Sequence, residues 1–359
     1  MQDQKGQKAT SEIIEMLRFP LIILVVFVHM LPFEQKSIPW DGTWYTAYVL
    51  ITELISHHIG RLAVPLFFIF SGYFFFLKID NWNRKIYIRQ IKKRLLTLLL
   101  PYILWNFIFI VAVFLKNVAM KNIGLAYDEN YNLINTTAIY DLFWLMPINY
   151  PLWYLRDLIA MVILSPLFFF FFKILRGYGF LVLLVVYLST WETDIPGLST
   201  TAFFYFGFGA FVGLFNINVL TYVLSYGKAL LAIAIVALCL TTFFSNHHLN
   251  EYLLRVFVIF AVPATFYIFF QLRHYKRLKT TLMRLAAPVF FIYALHIIYI
   301  LNWLKGGVAR TFLANSSLGL LISYFIVPFI CVAITLGIYG MLKKSMPKTL
   351  AVLTGSRAN

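Results

Sequence analysis

The sequence predicts an all-α, polytopic membrane protein of about ten transmembrane helices with both termini in the cytoplasm, and three observations carry that expectation. Hydrophobic residues make up 61% of the chain against 12% charged, with a mean hydropathy of +0.81, whereas about a quarter of a soluble domain is charged. Apolar runs long enough to cross a bilayer recur from end to end. Basic residues divide unevenly between alternate loops, 21 on one side and five on the other, as the collection of Lys and Arg in cytoplasmic loops requires. The net charge of +16 would point to nucleic acid in a soluble chain. Here it is read loop by loop, and no nucleic-acid partner is expected.

Residues 1–12 are polar and read as a disordered cytoplasmic tail. The first span is Glu15 to Pro32, EMLRFPLIILVVFVHMLP. It stays as an anchor, because no small-residue cleavage site follows Met30. Arg18 lies near its start and His29 near its end. Eleven steps of about 100° return a helix almost to its starting angle, so both side chains fall on one face, with Cα atoms roughly 16 Å apart, about half a bilayer core. An ionisable residue that deep is costly unless it faces protein or water, which makes His29 a functional candidate. The plainer alternative has Arg18 snorkelling to the headgroups and His29 as a satisfied core residue.

Pro32 ends this span, and a polar exterior loop follows to Gly42. Residues 45–59, half polar with Glu53, His57 and His58, read as an interfacial helical portion. Gly60 and Arg61 lead from it into a second span over residues 62–77, and a basic segment runs from Lys78 to Arg94. Further spans are expected at 95–115, 152–172, 178–192, 201–216, 228–245, 251–270, 288–304 and 319–342. Those at 178 and 201 are short for a membrane helix. Arg61, Arg156 and Arg255 fall near outer ends of their spans, where snorkelling or a polar vestibule accounts for them. Asp157 follows Arg156, but neighbours on a helix point about 100° apart, so no pairing is implied. Gly207, Gly209 and Gly213 lack the strand that precedes a phosphate-cradling loop and read as sites of close helix packing. Cys239 and Cys331 lie singly in apolar runs, so no disulfide framework and no metal site is indicated. One membrane domain is expected to fill residues 1–359, with no fused soluble domain.

Five stretches, in order, resemble the acyltransferase 3 family, the integral membrane O-acyltransferases of bacterial glycans. LRFPLIILVVFVH is similar to that family's Arg-x10-His signature. GRLAVPLFFIFSGYFF is similar to its second span, with Arg61, Pro65, Phe67, Phe68, Ser71 and Gly72 at the matching places. KKRLLTLLLPYILW resembles its basic approach to the next span, and LWYLRDLIAMVILSPL its Leu-Trp-Tyr/Phe-Leu-Arg block, with Trp153 and Arg156. YALHIIYI, with His296, resembles the Leu-His near its penultimate span. The likeness covers nearly the whole chain. It departs at Phe19, where glycine is often found, and in having no C-terminal hydrolase-like domain.

The resemblance implies an enzyme of the bacterial inner (plasma) membrane that moves an acyl group, acetyl above all, from cytoplasmic acyl-CoA to a hydroxyl of a cell-surface carbohydrate or lipid-linked glycan. Acyl-CoA is then a substrate, and no bound cofactor is expected. His29, with an unperturbed pKa of about 6.5, suits the general base. Arg18 would bind donor phosphate or orient the thioester. Arg94 would attract the nucleotide end of CoA, although the positive-inside bias explains that basic segment as well. Arg61, Ser71, Trp153, Arg156 and His296 are the further substrate-binding candidates, with a bond back to its own helix the commoner role for a serine such as Ser71. The rival readings are a polysaccharide exporter of the same fold, to which intramembrane Arg and His are equally suited, and a scaffold without chemistry.

Overall fold

A computed structural model describes residues 2–32, 34–77, 79, 81–124 and 139–355. Lys78, at the start of the basic segment, lies outside the described residues. Among those described the chain is helical throughout and contains no strand. Helix α1 spans Gln2–Val28, so the stretch read as a disordered tail is helical from residue 2. The reason is tertiary. The basic helix α12 (Lys276–Leu285) packs on α1, with Lys279 Nζ 2.7 Å from Glu12 Oε2, and Gly6 lies against the Asn218 side chain. A terminal helix tied down in this way does not fray.

From Trp44 to Phe76 the chain is one helical run in four pieces. These are α2 (Trp44–Thr52), a π-helical stretch (Glu53–His58), a 3-10 turn (Ile59–Leu62) and α3 (Ala63–Phe76). Thr43 caps the start, its hydroxyl accepting from Thr46 N. The basic segment is also helical: α4 (Arg84–Arg94), capped by the Asn83 side chain, continues through π-helical Leu95–Leu99 into α5 (Leu100–Asn122). Next come α6 (Trp153–Ile163), α7 (Ser165–Leu175), α8 (Gly177–Leu188), α9 (Thr200–Leu214), α10 (Val219–Phe243) and α11 (Asn250–Leu272). After α12 the chain continues with α13 (Val289–Leu295), α14 (Ile300–Val308), α15 (Ser317–Ser345) and α16 (Pro347–Leu353).

Two expected spans are not single rods. Residues 152–172 bend by 59° between α6 and α7, where Pro166 removes an amide donor at the start of the second helix. Residues 288–304 stop at Leu295 and restart at Ile300. By length and composition five runs can cross a membrane: Trp44–Phe76, Arg84–Asn122, Val219–Phe243, Asn250–Leu272 and Ser317–Ser345. Counting each of the two bent pairs, α6–α7 and α12–α13, as one crossing gives seven. The remaining segments read as spans from the sequence are α1, which carries Glu12, Glu15 and Arg18, and the short α8 and α9.

Helices in lipid gain nothing from hiding apolar surface from each other, so close packing must hold them together. The crossing of α3 and α9 shows how. A Cβ on Gly72 would overlap the Phe206 carbonyl, and one on Gly209 the Ile69 carbonyl. The glycines therefore let two backbones touch, as the sequence implied. Phe68, Phe75, Phe76, Phe206 and Phe291 are fully buried in the interior.

Candidate active site

The last carbonyls of a helix have no partner within it and must find one elsewhere. At the C-terminus of α1 they do. Ser56 Oγ donates to Phe27 O at 2.6 Å, His57 Nε2 to Pro32 O at 3.0 Å, and Lys305 Nζ to His29 O at 3.3 Å. His57 is itself bonded through Nδ1 to the buried Glu53 carboxylate at 2.7 Å. The π-helical stretch supplies Glu53, Ser56 and His57, so its irregular winding fixes the place where α1 ends. His29 stands just past the last residue of α1, its amide still bonded to Val25 O, and its side chain is buried.

The facing ring is that of His296. Between α13 and α14 the backbone turns sharply: Leu301 N returns to His296 O at 3.0 Å, and Tyr299 adopts a left-handed φ of 64°. A bulky residue there is strained by about 1–3 kcal/mol and persists only where its surroundings enforce it. Asn149 Nδ2 enforces it from one side by donating to Ala294 O at 2.8 Å. The consequence is that His296 is fully buried, with Nδ1 2.8 Å from Tyr293 O and 3.1 Å from Ile292 O. Carbonyls only accept, so Nδ1 carries the proton and Nε2 of the neutral ring keeps its lone pair. That Nε2 is buried with no partner among the described residues. The rings of His29 and His296 stack with centroids 5.2 Å apart at 29°.

Tyr150 closes the pair from a third side, its hydroxyl 3.3 Å from His29 Nδ1 and its ring edge-on to the imidazole. Tyr150 is 37% exposed, so the cluster is buried but borders the surface. Its position follows from Asn149, whose amide donates to Asn106 Oδ1 at 3.2 Å, while Asn106 Nδ2 donates to Tyr102 O at 2.9 Å. Both asparagines are completely buried. Buried amides that are bonded in this way hold a single arrangement.

Arg61 joins the cluster through packing of the backbone. Gly60 lies against α1 so closely that a Cβ would overlap Val28 Cγ2, and this brings the exposed Arg61 within electrostatic reach of His29. Lys305 and Arg61 both act electrostatically on the His29 ring. Ser71 and Arg94 belong to a second group centred on Tyr154. Ser71 Oγ is 3.5 Å from the Tyr154 hydroxyl, and Arg94 lies over the Phe75 ring at 5.8 Å and acts electrostatically on Tyr154. The Arg94 Nε is buried without a partner among the described residues. Arg18 turns to Glu15 at 3.2 Å, more than two helical turns from His29. Trp153 is half-buried, and no described hydrogen bond or ring contact ties it to either group.

Arg156 departs from the adjacency argument. Its Nε and Nη2 both lie 2.9 Å from Asp157 Oδ1, and Nη1 donates to Trp144 O and Leu145 O at 3.0 and 2.9 Å. The guanidinium sits on a long flexible stem, which spans the angle between neighbouring positions that a short side chain cannot. Its donors fix the segment that leads into Tyr150, and Asp157 is completely buried beneath it.

Sequence reasoning missed Asn106, Asn149, Tyr150 and Lys305. The available signal was Asn-Tyr immediately before the Pro-Leu-Trp stretch, a polar pair at the edge of an apolar run. Lys305 is one of the five basic residues counted on the exterior side, where nothing local sets it apart. A separate apolar cavity of about 130 Å³ lies between α1, α3, α9 and α11, lined by Ile14, Tyr73, Phe208 and Phe266 among others. Its lining contains none of the candidate site residues and supplies no base or cation.

A family described as acyltransferase domain matches residues 12–339. The chain is 27% identical over 366 residues to the succinoglycan biosynthesis protein ExoH of Rhizobium meliloti (strain 1021), across 96% of this chain and 92% of that protein. No solved structure matches it.

Proposed function

The chain belongs to the acyltransferase family whose domain covers residues 12–339, and from that premise we propose that it transfers an acyl group, acetyl in the first instance, from cytoplasmic acyl-CoA to a hydroxyl of a cell-surface carbohydrate or lipid-linked glycan. The observation that carries this reading is the buried stack of His29 on His296. In either neutral tautomer of His29 one ring nitrogen has a lone pair, able to take the proton of an acceptor hydroxyl as its oxygen attacks the thioester carbonyl. The new C–O bond forms, the C–S bond breaks, and the proton passes from the imidazolium to the departing thiolate. Tyr150 orients the His29 ring, and Nε2 of His296 receives an N–H or O–H of the substrate.

The remaining site residues fall into place around this step. Arg18 lies roughly 16 Å down α1 from His29, a separation that a flexible thiol arm spans, so it serves the phosphates at the far end of the donor. Arg94, at the end of the basic helix α4, serves the same end, with Ser71, Tyr154 and Trp153 along the path between. Arg156 acts by holding the segment that carries Tyr150. The working topology is ten crossings of a bacterial inner membrane with both termini in the cytoplasm, so that donor and acceptor meet from opposite faces. The glycan acceptor is supported by the relative named for succinoglycan biosynthesis.

Purified protein in vesicles should release free thiol from acetyl-CoA only when glycan is supplied, with one acyl group appearing on glycan per thiol. Passage of glycan across the vesicle membrane without acylation would replace this reading with the exporter.

A further inference from the structure

Helix α12, KRLKTTLMRL, separates its apolar and basic residues around its axis. Leu278, Leu282 and Leu285 recur at spacings of four and three, so they share one face. Lys276, Arg277 and Arg284 fall on the other side, with Lys279 on the flank that meets α1. The core does not cover the leucine face, since Leu278 is exposed and Leu282 and Leu285 are half-buried. Nor is the basic side neutralised by acids. No Asp or Glu occurs in the sequence after Glu251. Of the acids on α1, Glu12 holds Lys279 at 2.7 Å and Glu15 holds Arg18 at 3.2 Å. Among the described residues Arg273, Lys276, Arg277 and Arg284 form no ion pair. Arg273 lies over the Phe270 ring at 4.0 Å, and Lys276, Arg277 and Arg284 are exposed.

The neighbouring helices place this surface at the edge of the bilayer. Helix α11 is long and apolar enough to cross a membrane, and only Arg273, His274 and Tyr275 separate its last residue from α12. Ten residues rise about 15 Å, half a bilayer core, and the axis then turns by 49° into α13. The exposed Tyr275 suits headgroup level, where rings with polar tips concentrate. A helix with one apolar and one basic face seats in that boundary, and anionic lipid strengthens the hold. We infer that α12 is a docking surface for anionic phospholipid. Lys276, Arg277 and Arg284 take headgroup phosphates, their long stems reaching past the helix to the lipid plane. Leu278 and Leu282 lie along the first methylenes of the chains. The phosphates of CoA carry no such chains and make no use of the leucine face. A lipid seated here rests on the helix that leads, through Pro288, into α13 and His296.

Thermal unfolding of the purified protein in neutral detergent, titrated with phosphatidylglycerol or with phosphatidylcholine of the same chains, tests this. The readout needs no acyl transfer, so it stands or falls apart from the transferase reading. A basic residue near an anionic surface is worth about fivefold in binding. Three of them should let phosphatidylglycerol raise the unfolding midpoint at a roughly 100-fold lower concentration than phosphatidylcholine. About 0.5 M NaCl should remove most of that preference. The combined variant Lys276→Gln, Arg277→Gln, Arg284→Gln should bring the two lipids level, whereas Lys276→Arg, Arg277→Lys, Arg284→Lys should keep them apart. If the combined glutamine variant does not fold, Arg277→Gln and Arg284→Gln alone decide, each expected to weaken the phosphatidylglycerol response about fivefold. Equal stabilisation of the wild-type protein by both lipids, or a phosphatidylglycerol response undiminished in the glutamine variants, would overturn the inference. Stabilisation by inorganic phosphate or CoA as strong as that by phosphatidylglycerol, and lost in the same variants, would assign the cations to a soluble phosphate ligand and overturn it as well.

Discussion

Replacement of His29 by alanine is expected to lower acyl transfer roughly 100-fold or more while the protein remains inserted and folded. The side chain stacks on His296 and meets Tyr150, but the hydrogen bonds that finish α1 use the carbonyls of Phe27, His29 and Pro32, which alanine leaves in place. Removal of a polar ring from an apolar helix also makes insertion easier. The loss should therefore appear in kcat and kcat/KM together, as for a group that acts only in the transition state. Thiol release per mole of folded protein, measured beside monodisperse yield in detergent, is the test. Wild-type transfer by His29→Ala would take this ring out of the reaction.

His296→Phe is the second large effect, expected to cut transfer by about 10- to 100-fold. Phenylalanine retains an aromatic ring against His29 and forfeits the Nε2 acceptor. It also releases Tyr293 O and Ile292 O from the imidazole, although both carbonyls lie in a helical turn with other donors near. If the role of His296 is to receive a substrate N–H or O–H, His296→Phe should be nearly as impaired as His296→Ala. If the ring only packs, His296→Phe should recover most of the activity that alanine loses. Comparison of kcat and KM in the two variants decides, and recovery by phenylalanine would leave His29 to act without its neighbour.

The difference between what the residues announced and what the fold supplied lies in the range of the interactions. Gly209 and Gly213 mark a close crossing of α9 on α3, because a missing side chain is a local property. The turn after His296 was not legible. ALHIIYI contains neither glycine nor proline, and the break is imposed by Asn149, 145 positions away along the chain, through its bond to Ala294 O. Tyr150 and Lys305 reach His29 only after helices distant in sequence come together. Arg156 shows the opposite error, since an argument about helix angles ignored the length of an arginine stem. The tail at residues 2–10 was misread for a related reason: composition alone does not reveal Asn218 against Gly6 or Lys279 at Glu12.

The most direct measurement of the central claim places the two substrates on opposite sides of one membrane. Vesicles whose orientation is established by labels near Lys8 and Lys344 on one face and near Lys121 on the other should be loaded with radiolabelled acetyl-CoA on the face that carries both termini. Glycan is then supplied only on the opposite face. The account predicts label on that glycan, thiol released on the loaded side, and loss of both in His29→Ala. Transfer that occurs only when donor and glycan share one face, or a C-terminal label that reports the face opposite to the N-terminus, would contradict it.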